Sequence, residues 1–128
     1  MPKPKREVHL SELQLAVMRA LWRRGEANTA EVVAELGPKR DLAHTTVATL
    51  LTRLEKRGLL EIRRDGRTLI YTPLISEPDV RRSMVADLVA TLFKGDPKAL
   101  LAHLVREDEI APGDLEKVRA RLKEDEHG

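Results

Sequence analysis

The stretch at 44–58, HTTVATLLTRLEKRG, constrains this chain more than any other. Val47, Leu50, Leu51 and Leu54 fall at i, i+3, i+4 and i+7, which predicts a helix that buries one face. At about 100° per residue, the opposite face carries Thr45, Thr49, Thr52, Arg53 and Lys56, with Thr46 and Arg57 at its edge and Glu55 toward the flank. β-Branched threonines on a solvated helix face lower helix propensity without any gain in packing. Thr hydroxyls and methyls match base edges and thymine methyls, Arg and Lys match guanine and phosphate, and a helix fits the major groove. The segment is therefore predicted to be a recognition helix, with His44 at its start either touching DNA or filling the cap position. The bland alternative is a solvated amphipathic helix with a chance row of threonines.

Length and charge limit what such a helix can belong to. A chain of 128 residues with 41% apolar content builds about one domain, or a small domain with an appendage. One Trp, one Tyr and one Phe give no stacking platform for single strands, which argues against RNA recognition. The absence of Cys excludes disulfides and thiolate metal sites, and no apolar run reaches the length of a membrane span, so no membrane insertion is expected. MPKPKREVHL at the N-terminus is basic but lacks the apolar region of a secretory signal, which predicts a cytoplasmic protein. Net charge is only +2, but residues 37–72 hold eight Lys or Arg against four acids, while residues 73–128 hold nine against twelve. One surface facing a polyanion and a second surface with a different task follow from that split.

Along the chain, Ser11 and Gln14 form a capping-box pattern ahead of Leu13, Val17, Met18, Leu21 and Trp22, a helical stripe closed by Gly25. Trp22 reads as a core anchor. TAEVVAEL, from Thr29, is a short second helix burying Val32, Val33 and Leu36; Gly37-Pro38 ends it and 39–43 is a turn. Gly58 stops the third helix, 59–63 and 68–72 read as strands, and Arg64-Asp65-Gly66-Arg67 reads as the turn joining them. The order predicts a winged helix-turn-helix, mainly α with a small β-hairpin wing. Arg63, Arg64 and Arg67 at the wing tip are candidates for phosphate or minor-groove contact, the alternative being a generic hairpin with solvated arginines.

Beyond the wing, a helix opens at Ser76 or Asp79, carries Val80, Met84, Val85, Leu88, Val89, Leu92 and Phe93 at three- and four-residue steps, and closes at Gly95. A second, 97–106, offers Ala99, Leu100, Leu101, Leu104 and Val105, and a third, after Pro112-Gly113, offers Leu115, Val118 and Leu122 at seam-like spacing. A winged helix of about seventy residues cannot cover this much apolar surface, so self-association is predicted. Val80, Met84, Val85, Leu88, Val89, Leu92, Leu100, Leu104, Leu115, Val118 and Leu122 are the expected dimerisation residues. An intramolecular helical cap on a monomer is the alternative. The organisation expected is a basic flexible arm at 1–9, a DNA-binding domain at 10–75, a helical dimerisation region at 76–124 and a disordered tail at 125–128.

Other chemistry is sparse. His103 and Glu107 stand at i, i+4 with Asp108-Glu109 following, too few ligands for a closed metal site, and His9 and His127 lie near the ends. No nucleophile, base and orienter cluster appears and no glycine-rich phosphate loop, so neither an enzyme, a cofactor nor a small-molecule substrate is expected.

LSELQLAVMRALW at 10–22, TTVATLLTRLEKRGLL at 45–60, DGR at 65–67, YTPL at 71–74 and GDPKALLAHLV at 95–105 resemble the penicillinase repressor family, winged-helix repressors of the BlaI/MecI/CopY type. The resemblance implies a homodimer that occupies palindromic operator DNA and blocks transcription. It places base contacts on Thr45, Thr46 and Thr49, with Arg53 and the wing in support. It also implies release by an upstream signal of the beta-lactam or cell-wall stress type, through a membrane sensor metalloprotease. Members under such a protease are cut at an Asn-Phe bond in the short helix; that place reads His103-Leu104 here, and the cysteine cluster of the copper-responsive branch is missing. Ala43-His44 stands where many members have Ser-Pro, which bears on cap geometry. Two other classes stay open: a sequence-tolerant architectural DNA binder, and a winged-helix module that docks on protein.

Overall fold

Ser11 caps α1 (Glu12–Arg24) reciprocally: its side chain accepts from the Gln14 backbone N–H at 3.1 Å, and the Gln14 side chain accepts from the Ser11 N–H at 3.0 Å. Asn28 and Glu31 repeat the device at the start of α2 (Thr29–Leu36), at 2.8 and 2.9 Å. Helix α3 (His44–Lys56) ends in a Schellman motif, in which the Leu59 N–H donates to the Leu54 carbonyl and the Gly58 N–H to that of Glu55. Gly58 takes φ 79° there, a left-handed conformation that costs glycine nothing, and the buried Leu54 and Leu59 lie at the two positions whose apolar contact accompanies this motif.

The computed structural model describes residues 8–37, 40–111 and 113–127. Strand β1 (Leu60–Asp65) pairs antiparallel with β2 (Thr68–Pro73), Leu60 facing Pro73 and Asp65 facing Thr68. The strands run further than the sequence predicts, so the turn shrinks from four residues to the pair Gly66-Arg67. Gly66, at φ 64°, holds the first central position, where a type II′ hairpin loop requires glycine. Ala27 and Tyr71 exchange two backbone hydrogen bonds of 3.1 and 2.8 Å, which fastens the α1–α2 connection to the hairpin.

The chain divides into two compact units, Met1–Met84 and Val85–Gly128. In the first, Val17, Met18 and Leu21 of α1, Val32 of α2 and Val47, Leu51 and Leu54 of α3 form a dry core with Leu59, Leu60 and Tyr71. Leu50 and Trp22 pack partly against it, and the Trp22 indole N–H donates to the Ile75 carbonyl at 2.9 Å. Val8 and Leu10 are buried in the same core, and the Val8 N–H donates to Ser83 Oγ at 2.7 Å. Val8, expected within a flexible arm at 1–9, is instead held down by its buried side chain and by the bond from its backbone N–H to the Ser83 hydroxyl, while residues 1–7 of that arm lie outside the described residues.

Helix α4 (Glu77–Leu92) is opened by Ser76, whose hydroxyl accepts from the Asp79 N–H. Its first turns belong to the winged helix: Val80 is 1% exposed in that core and Met84 packs on it. This corrects two expectations. The boundary falls after Met84 and not at 75, and Val80 is spent on its own core and is not available to a dimer face. One apolar stripe changes what it packs against partway along the helix, and periodicity alone carries no mark of the change.

In the second unit, the rest of α4 is followed by α5 (Pro97–Arg106), capped by Asp96, and by α6 (Asp114–His127). The rings of Phe93 and His103 lie 5.9 Å apart. No described residue from Val85 onward is fully buried. The tail expected to be disordered from 125 is helical to His127, while residue 128 lies outside the described residues.

Candidate nucleic-acid interface

Helix α3 buries Val47, Leu51 and Leu54, and that burial fixes which side it shows to solvent. His44, Thr45, Thr46, Thr49, Thr52, Arg53 and Lys56 are all exposed. Ala43 occupies the cap position and supplies no side-chain hydrogen bond, so His44 is the first helical residue and not the cap. The first turn holds no acid, and among the described residues no carboxylate pairs with Arg53 or Lys56. A row of hydroxyls and methyls thus stands beside two cations that no carboxylate among the described residues compensates.

The hydroxyls differ along the row. Thr49 Oγ1 donates to the Thr45 carbonyl and Thr52 Oγ1 to the Ala48 carbonyl, each at 2.9 Å. Among the described residues, no such bond is made by Thr45 or Thr46 at the start of the helix.

The arginines separate as sharply. Arg64 and Arg67 on the hairpin are exposed and lack a carboxylate partner among the described residues, whereas Arg63 Nη2 lies 2.7 Å from Glu26 Oε1. The hydrogen bond and charge of Glu26, with Asp65 adding a little, push the Arg63 guanidinium above its ordinary range. Arg57, at the end of α3, donates to the His9 carbonyl at 3.0 Å, and Arg40 pairs with Glu12. Of the three arginines expected at the wing tip, only Arg67 sits in the loop itself, with Arg64 beside it in β1. Neither Glu26 nor the His9 carbonyl carries any local signal in the sequence, since each meets its partner 37 or 48 residues away.

Away from this face, Glu31 accepts from the Asn28 backbone N–H and pairs with Arg24; the hydrogen bond, reinforced by Arg24, holds its carboxyl below the ordinary glutamate range. His103 and Leu104 lie inside α5, His103 exposed and Leu104 half-buried, with the His103 carbonyl accepting from the Glu107 N–H. His103 and Glu107 join no group of three or more metal-ligating side chains among the described residues.

Three helices, a two-stranded wing and a polar third-helix face define a winged helix-turn-helix protein. A sequence profile described as Penicillinase repressor matches residues 10–124, and the chain belongs to that family, one of transcriptional repressors. It is 36% identical over 121 residues to the transcriptional regulator BlaI of Mycobacterium tuberculosis, covering 93% of this chain and 86% of that one. Against the penicillinase repressor of Bacillus licheniformis it is 27% identical over 120 residues, with 94% of each chain covered. Among solved structures it is similar to the B. licheniformis BlaI monomeric form in complex with the blaP half-operator, with a TM-score of 0.51 and 37% identity over 59% of this chain and 93% of that one. No helix among the described residues is long and apolar enough to cross a membrane.

Proposed function

We propose that this chain is a dimeric, sequence-specific DNA-binding repressor that sets α3 in the major groove of each half of a palindromic operator. The observation that carries the proposal is the exposed side of α3: Thr45, Thr46 and Thr49 beside Arg53 and Lys56, which have no carboxylate partner among the described residues, opposite the buried Val47, Leu51 and Leu54. The half-operator complex of the B. licheniformis relative supports the same use of this fold. Arg64 and Arg67 contact phosphate and fix register, and Arg63 contributes less because Glu26 already holds it.

Dimerisation rests on the second unit. Val85, Leu88, Leu92, Val105, Val118 and Leu122 are each more than 40% exposed or close to it, and no described residue there is fully buried, so a single copy leaves its helices without a core. A second copy of the same chain supplies one, with two-fold symmetry matching a palindrome. Release follows an upstream signal, and a membrane sensor protease acting at His103-Leu104 would first have to unwind α5, because that bond lies within a hydrogen-bonded helix.

Selection from a random-sequence duplex pool, followed by sedimentation of the complex, tests the proposal. Recovered sites are expected to share an inverted repeat with half-sites one turn of DNA apart or a multiple of it, roughly 34 Å per turn, and to carry two chains per duplex. Retention of DNA without a shared sequence would leave an architectural binder, and no retention at all would leave a protein-docking module.

A further inference from the structure

We propose that Thr49 and Thr52 read operator DNA through their methyl groups, with thymine C5-methyls as the matching base feature, while Thr45 and Thr46 read by donating hydrogen bonds. The inference rests on the DNA-binding reading above and deepens it. A threonine hydroxyl has one proton. In Thr49 that proton goes to the Thr45 carbonyl and in Thr52 to the Ala48 carbonyl, both at 2.9 Å, an arrangement helical threonine adopts readily.

Neither side chain can then donate to guanine O6 or N7, adenine N7 or thymine O4 without giving up a bond inside its own helix. What each still offers is a methyl group and oxygen lone pairs. The lone pairs can accept only from the amino groups of adenine or cytosine, and the methyl matches the one apolar feature in the major groove, the thymine methyl. Thr45 and Thr46 are exposed and make no such bond among the described residues, so their protons remain available to base acceptors. A row of identical residues thereby divides into donors on the first turn and methyl readers on the next two.

Valine and serine separate the two roles, because valine keeps the methyl and loses the hydroxyl, while serine does the opposite. The experiment measures Kd of the full chain on the duplex recovered by selection, and on the same duplex with deoxyuridine at each thymine in turn, which removes only the C5-methyl. The variants are Thr49→Val/Thr52→Val, Thr49→Ser/Thr52→Ser and Thr45→Val, each checked for unchanged helical content by circular dichroism. Val at 49 and 52 is expected to bind within about twofold of the parent, and Ser at both to lose about tenfold, roughly two buried methyls' worth. Deoxyuridine at the contacted thymines should cost the parent a similar factor and the serine variant little. Thr45→Val should weaken binding of every version of the duplex.

Equal losses for the valine and serine variants, or a deoxyuridine effect of the same size in all proteins, would overturn the proposal. A parent chain that binds the selected and scrambled duplexes alike would instead overturn the DNA-reading function itself, and this proposal with it.

Discussion

Arg63 and Arg64 are neighbours in sequence and opposites in circumstance. Adjacent strand residues point to opposite faces of a hairpin, so one guanidinium meets Glu26 and the other meets solvent. Arg64→Ala is expected to weaken binding to every duplex alike and to reduce the slope of log K against log salt by about 1, whereas Arg63→Ala should leave the slope nearly unchanged. Fluorescence anisotropy across a salt series reads both, and equal slope changes would mean that Glu26 does not withhold Arg63 from DNA. Glu31 gives a pH signature at the same scale. Its carboxyl is held below the ordinary range in the folded chain, so the stabilisation it provides is complete above the unfolded pKa and fades as pH falls through the lower, folded value. Glu31→Gln keeps a capping side chain but removes the charge. Its Tm should lie below the parent's near neutrality and converge on it in acid, and a gap independent of pH would contradict the assignment.

At the scale of elements, the best-read parts were those whose cause is local. The capping box at Ser11, the leucine face of α3, the stop at Gly58 and the span of α5 all follow from residues within one or two turns of each other, and all stand as the sequence predicts. The hairpin was legible as a hairpin but not in its turn, because Asp65-Gly66 fits two loop frames and only cross-strand pairing selects Gly66-Arg67. What was illegible depends on distant partners: the Ala27–Tyr71 bridge, the Glu26–Arg63 pair and the burial of Val8 beneath α4. Val80 belongs with them, because the core it joins is built from helices far away in the sequence. Val80→Ala should therefore destabilise the winged helix by about 2 kcal/mol, the loss of a fully buried valine's methyls and the void they leave. Leu92→Ala, at a residue 68% exposed, should leave unfolding of the winged helix unchanged and weaken self-association. Thermal unfolding and sedimentation equilibrium on the two variants distinguish these outcomes, and a reversed pattern would move the dimer face into the first unit.

The whole molecule joins a winged helix with a complete core of its own to a helical unit that has none in a single copy. Every fully buried residue lies between Val8 and Val80 among those described, so a chain ending at Met84 should fold as a monomer with nearly the parent's Tm. It should bind the palindrome about a hundredfold more weakly, since the second half-site is no longer engaged within one assembly. Unchanged affinity would remove the dimer from the mechanism. Base reading by the threonine and cation side of α3 stands or falls on the ratio of affinities for the selected duplex and a scrambled one, measured for the parent and for Arg53→Ala. Arg53→Ala is expected to lose about 1–3 kcal/mol on the selected duplex and much less on the scrambled one, so that the ratio contracts. Equal losses on the two duplexes would make Arg53 a phosphate contact and contradict base reading by this face.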